Sequence, residues 1–194
     1  MAFIQRDDGD RGEIFAWWDG TALDASAQFN CQPHETILVL DADSEDLVAT
    51  LGPGRHAMTG ALEKYANGDE VLVIFVTTSP LHIEAGGALA DLPDEPWVEI
   101  NARVTVRDPV KAIELLPLLD DDEAPEDWLG EELILAVGHA AEEKGGDVQG
   151  LQSAAGAIAQ AATGYANAVM ADLGFEVAVP ELSFSLSEEG DDDE

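Results

Sequence analysis

The stretch from Trp97 to Leu116, WVEINARVTVRDPVKAIELL, constrains the fold more than any other, because it joins an alternating strand to a helix start with nothing between them. Val98, Ile100, Ala102, Val104 and Val106 fall on one side of an extended chain, while Glu99, Asn101, Arg103, Thr105 and Arg107 fall on the other. This period of two predicts a strand with one buried face. Asp108 is suited to accept from the free N–H groups of a first helical turn. Pro109 has the fixed φ and missing N–H tolerated at the first helical position, so the strand hands over to a helix there. Lys111 to Leu116 read as that helix, with Val110 and Ile113 inward and Pro117 ending it.

The rest of the chain is placed around this junction. Ile14 to Trp18 reads as a short aromatic strand with Trp17 and Trp18 on opposite faces, and the segment around Ala25 to Phe29 as its partner. Thr36–Leu40 and Leu47–Leu51 form a hairpin, and Gly52, Pro53 and Gly54 supply a tight bend with positive φ at either glycine. Glu70–Val76 and Leu81–Glu84 are two more strands, with a loop from Gly86 to Pro96 leading to the central one. Leu129, Leu133, Val137 and Ala141 recur at helical spacing, and Gly145 with Gly146 stops that helix. Asp147 caps a second helix with an apolar stripe of Leu151, Ala155, Ile158, Ala162, Tyr165, Val169 and Leu173, closed by Gly174. Phe175, Val177 and Val179 then alternate in one phase and Leu182, Phe184 and Leu186 in the other, which predicts a bulge or break at Pro180. The fold class is α+β. A β-rich lobe covers about 14–96 and an α/β lobe about 97–187, between a mobile arm at 1–13 and a disordered acidic tail at 188–194.

Charge is where the composition departs furthest from the ordinary. Forty-one acids against eight bases give −33. A 20.6 kDa monomer has roughly 8,900 Å² of surface, which leaves each net charge about 270 Å², or a spacing of about 16 Å. The Debye length in 0.15 M salt is about 8 Å, so screening is partial and the chain repels itself and its copies. Adaptation to a saline cytoplasm, binding to basic proteins or nucleic-acid mimicry, and ordinary acidity are three readings. The spread of acids over every segment, with lysine reduced to Lys64, Lys111 and Lys144, favours the first or the last. A single cysteine, Cys31, excludes an intrachain disulfide, and without a charged-then-apolar leader the expected compartment is the cytoplasm. The longest apolar run, Val71 to Val76, is too short to cross a bilayer as a helix and reads as a buried strand.

Motifs of catalysis are missing: there is no H-E-x-x-H, paired cysteine, G-x-S-x-G or G-x-G-x-x-G. His34, His56, His82 and His139 lie in four separate segments without ligand spacing. The acidic loop D-A-D-S-E-D invites a calcium reading that fails, because Asp46 stands where an EF-type loop needs glycine and Gly52 where it needs a bidentate glutamate. The search for catalytic chemistry is thus mostly negative, and no metal or cofactor is expected. Three groups are candidates for contacts instead, and two more carry structure. Arg103 and Arg107 share one strand face, which suits cross-strand pairing with the abundant acids or else contact with an anionic partner or subunit. Gly156, Ala162 and Gly164 suit close approach of a second copy, and Phe3, Ile4, Trp17 and Trp18 a membrane or partner contact. Asp108 with Pro109 carries the strand–helix junction, and Gly52–Pro53–Gly54 the bend.

Three stretches together resemble the SPFH superfamily of stomatin, prohibitin, flotillin and band 7 proteins. V-R-D-P-V-K-A-I-E-L-L, from Val106, looks like that family's strand-to-helix junction. TILVLDADSEDLVATLGPGRHAM, from Thr36, is similar to its first hairpin and G-P-G bend, and GFEVAVPELSFSL, from Gly174, to the strand that closes the domain. The resemblance implies a non-enzymatic, self-associating scaffold with an unidentified protein client and no nucleic acid. Contact with the inner face of the membrane would be weak or made through a partner. The alternative from another class is an acidic decoy for a basic or nucleic-acid-binding protein.

Overall fold

A computed structural model describes residues 3–7, 13–18, 23–66, 70–120, 123–145 and 147–186. The tail expected at 188–194 lies outside the described residues, as do parts of the N-terminal arm and of the turns at Asp19–Gly20 and Gly146. The chain forms two compact units of mixed strand and helix, an α+β fold: Met1–Ser79 with Val106–Ile113, and Pro80–Thr105 with Glu114–Glu194. The division falls at Ser79/Pro80, not near Pro96, because the strand after Pro80 is the hairpin partner of the central strand.

The first unit contains β1 (Phe3–Ile4), β2 (Phe15–Trp17), β3 (Gln28–Cys31), β4 (Glu35–Asp41), β5 (Leu47–Leu51), β6 (Gly54–Ala57), β7 (Val71–Thr77) and the four-residue helix α1 (Pro109–Ala112). They make a three-stranded sheet of order β1-β3-β6 and a four-stranded sheet of order β2-β7-β4-β5. Alternation decides what each face does. Ile37, Val39, Val71, Val73 and Phe75 turn to one side, where they join Ile4, Phe29 and Cys31 of the other sheet in a single core. Leu38, Ile74 and Val76 are buried on the opposite side, and α1 packs on β4.

Two expectations for this unit are corrected. The segment Phe3–Ile4 is a strand, paired in parallel with β3, and Ile4 is 1% exposed, so these residues are part of the fold and not of an arm. The partner of β2 is β7, not the segment after Ala25. Asp24 explains the difference: its carboxylate accepts the Ser26 N–H at 2.6 Å and its carbonyl accepts the Ala27 N–H. That turn delays extension until Gln28 and delivers the strand to the other sheet.

The second unit contains β8 (Leu81–Ala88), most of β9 (Trp97–Val106), α2 (Pro125–Glu142), α3 (Val148–Met170) and β10 (Phe175–Ser185), with sheet order β10-β9-β8. Along β9 the five expected residues are buried and the alternate ones face outward. Gly86 and Gly87 belong to β8 and are not loop. A Cβ on Gly87 would come within 2.9 Å of Ile134 on α2, and one on Gly86 within 3.3 Å of the Trp97 ring, so glycine here serves close packing and not turning.

At the junction, Asp108 accepts from the N–H groups of Val110 at 3.2 Å and Lys111 at 3.4 Å. After α1 the chain tightens into a 3₁₀ helix, Ile113–Leu118, that runs through Pro117. The fully buried positions are Ala112 and Leu115, three apart as a 3₁₀ turn requires, while Val110 and Ile113 are half-buried.

Helix α3 packs on α2 and β10 with a stripe of Leu151, Ile158, Ala162, Ala166 and Met170. Tyr165 and Val169, expected in that stripe, face outward. The Tyr165 hydroxyl donates instead to Glu143 at 2.6 Å. Polar side chains of α3 also occupy the free edge of β10. Asn167 accepts the Val177 N–H at 2.9 Å and donates to its carbonyl at 2.7 Å, Thr163 accepts the Val179 N–H, and Gln152 the Phe184 N–H. Outward-pointing backbone is thus odd-numbered at 177 and 179 but even-numbered at 184. The strand is continuous, and its buried phase changes across Pro180, from Val177 and Val179 to Leu182 and Phe184.

Candidate interaction surface

Buried polar groups come first, since these have to be satisfied or functional. In the first unit Arg6 and Glu35 form an ion pair at 3.8 Å with side chains 9% and 3% exposed. Arg6 also donates to the Thr77 hydroxyl and to the Glu13 carbonyl, Thr77 donates to that same carbonyl, and Glu35 accepts the Gln32 N–H at 3.1 Å. Burial raises the Glu35 pKa, with the Gln32 N–H and Arg6 pulling the other way. Cys31 lies beside this cluster and donates to the Glu35 carbonyl at 3.2 Å. Its thiol is pushed up to about 11, by burial first and then by the Glu35 charge. A thiol held protonated is a poor nucleophile, so the cluster ties the segment after β1 to the ends of β4 and β7. Sequence reasoning missed it, because neither Arg6 nor Glu35 carries a local signal of burial.

Exposed apolar side chains give a different picture at one end of the four-stranded sheet. Trp17 of β2, Leu72 of β7 and Leu47 of β5 are 50%, 45% and 43% exposed. The register puts them on one face of the sheet in a row across its strands: Trp17 stands opposite Ile74, two residues along β7 from Leu72, and Leu72 and Leu47 flank the buried Leu40 from either side. Acids border the patch. Glu70 immediately precedes β7, and Asp43, Glu45 and Asp46 are exposed in the turn between β4 and β5. Asp41 organises that turn by accepting the N–H groups of Asp43 and Ser44, both at 3.1 Å, and the Tyr65 hydroxyl at 2.6 Å. The Tyr65 bond is the main cause that holds its carboxyl below the usual range. Lys64 pairs with Asp41 at 3.8 Å and lies over the Tyr65 ring.

The second unit has a cleft of about 530 Å³ on the outward face of its sheet, where the Trp97 indole faces Glu84, Glu99, Asn101, Glu181 and Ser183. Ser183 donates to Glu99 at 3.1 Å. Among the described residues no group of three or more His, Cys, Asp or Glu is arranged to hold a metal ion.

The residues singled out by sequence are brought together only in part. Trp17 is in the patch, but Trp18 turns inward against the core and Ile4 is buried in it, so neither offers a membrane contact. Phe3 is half exposed under the Arg55 guanidinium, 5.7 Å from its ring centre. Arg103 is exposed on β9 opposite His82 in the second unit, whereas Arg107 lies past the strand end and counts with the first. Ala162 is 0% exposed in the core of its own unit, while Gly156 and Gly164 face outward with open space beyond them, so the three do not share a face. Gly54 alone of the bend takes a positive φ, 127°, and His56 bonds back to the Gly52 carbonyl at 2.7 Å. Leu72 was missed because V-L-V-I-F-V reads as buried throughout, and Leu47 because nothing local to L-V-A-T-L shows that a sheet end lies open. No helix among the described residues is long and apolar enough to cross a membrane. A scan against protein-family models and a search of curated proteins each match nothing.

Proposed function

We propose that this protein is a non-enzymatic, self-associating scaffold of SPFH type that holds a protein client and reaches the membrane surface, if at all, through a partner. The observation that carries the reading is the order of elements behind the three resembling stretches. A hairpin, β4–β5, runs into the G-P-G bend; β9 hands over to a helix capped by Asp108; and α3 delivers β10 back to the edge of β9. The exposed apolar patch supports binding over chemistry, since a chain of net charge −33 leaves half an indole and two leucines in water on one face of a sheet. Self-association is assigned to the outward face of α3, where Gly156 and Gly164 leave room for a second copy. Replacing both glycines with leucine tests it. The open space permits the larger side chains and helix propensity rises, so the fold is expected to survive while the assembled mass falls. An unaltered mass overturns the assignment to α3.

A further inference from the structure

We infer that the patch of Trp17, Leu72 and Leu47 is the seat of a short amphipathic segment of a partner protein, apolar on one side and carrying lysine or arginine on the other. This rests on the scaffold reading and names the client by its chemistry. Three observations point to it. The anchors are held by the strand ladder of one sheet, so their spacing is fixed before anything binds. The exposed apolar area is on the order of 300 Å², enough to seat two or three anchoring side chains but well under the roughly 800 Å² per partner of a stable folded interface. The rim is acidic beside both leucines: Glu70 precedes β7 next to Leu72, and Asp43, Glu45 and Asp46 lie next to Leu47, with Lys64 already engaged by Asp41. A second copy would bring the same acids against these, and an anionic lipid surface would be repelled in the same way. A basic rim complements them and speeds the encounter.

The test uses the full chain and labelled peptides of about 18 residues, roughly five helical turns. One has leucine on one helical face and lysine on the other; a second has glutamate for lysine; a third has serine for leucine. In 0.15 M KCl the leucine–lysine peptide is expected to bind the wild type at least tenfold tighter than either of the others. The double variant Trp17→Ser/Leu72→Ser should lose at least tenfold of that affinity, while Leu135→Ser on α2, likewise exposed, stays within twofold. All three side chains are exposed, so the melting temperature should not move. If the double variant misfolds, Leu47→Ser alone should lose at least threefold. No binding of the leucine–lysine peptide, equal binding of the lysine–serine peptide, or unchanged binding by the patch variants overturns the inference. So does equal binding of the leucine–glutamate peptide, which would leave the rim without a role. Co-sedimentation with phosphatidylcholine vesicles that the double variant abolishes would make the patch a lipid contact and likewise overturn it. The assembled mass of the double variant is expected to equal that of the wild type. If it falls to a single chain, the patch is the self-association surface, and the inference fails while the scaffold reading stands. A wild type that binds the peptide as a single chain does the reverse.

Discussion

Asn167 shows how a single side chain takes the place of a missing strand. An edge strand presents unpaired N–H and C=O groups, and on β10 the amide of Asn167 receives one and supplies the other at Val177. Asn167→Ala leaves both without their partner at a half-buried position, and the expected cost is about 2 kcal/mol. Urea unfolding measures it, and a midpoint unchanged from wild type would mean that water serves the edge equally well. Nothing in the local sequence marks Asn167 for this role, because the partner is ten residues away and its need arises only once β10 is an edge. Cys31 is the other residue with a measurable consequence. Its thiol titrates at about 11 in the fold against 9.0 outside it. The native state therefore keeps a proton that the unfolded chain loses between those values. Stability from this group is full below pH 9 and is lost as pH rises toward 11. At pH 8 a thiol reagent should modify Cys31 slowly in the native protein and at once in urea. Equal rates would show that the thiol is open to solvent.

At the scale of elements, the signals that were local could be read and those set by packing could not. The β9–α1 junction is local: alternation, an acceptor and a proline follow one another in the chain, and the structure makes each of them. Asp108→Ala should cost about 1 kcal/mol, since two N–H groups of the first turn lose their acceptor. A shift of the unfolding midpoint under a quarter of that would show that water caps the turn as well. The β4–β5 hairpin and the phase change across Pro180 were legible for the same reason. The second half of α3 was not. From Ala162 onward the buried face steps by four to Ala166 and Met170, whereas the larger Tyr165 and Val169 draw a sequence reader one residue aside. Gly86 and Gly87 look like loop until Ile134 and Trp97 are seen beside them. The contact patch divides along the same line, with Trp17 legible as an aromatic on a two-faced strand and Leu47 and Leu72 hidden in apolar segments whose exposure depends on where the sheet ends.

For the whole molecule the governing quantity is the net charge of −33. Net charges about 16 Å apart on average are only partly screened when the Debye length is about 8 Å, and are fully screened in molar salt, where it shrinks to about 3 Å. Added salt should therefore raise the melting temperature of the single chain and favour contact between copies, and a melting temperature that falls from low to molar KCl would contradict this account of the charge. The same acids that rim the Trp17 patch keep copies apart there, which leaves the outward face of α3 as the surface where self-association is expected. Sedimentation equilibrium of the purified protein from low to molar KCl tests the scaffold reading most directly. The expected result is a mass that rises with salt to a whole multiple of 20.6 kDa; a single-chain mass at every salt concentration would contradict it.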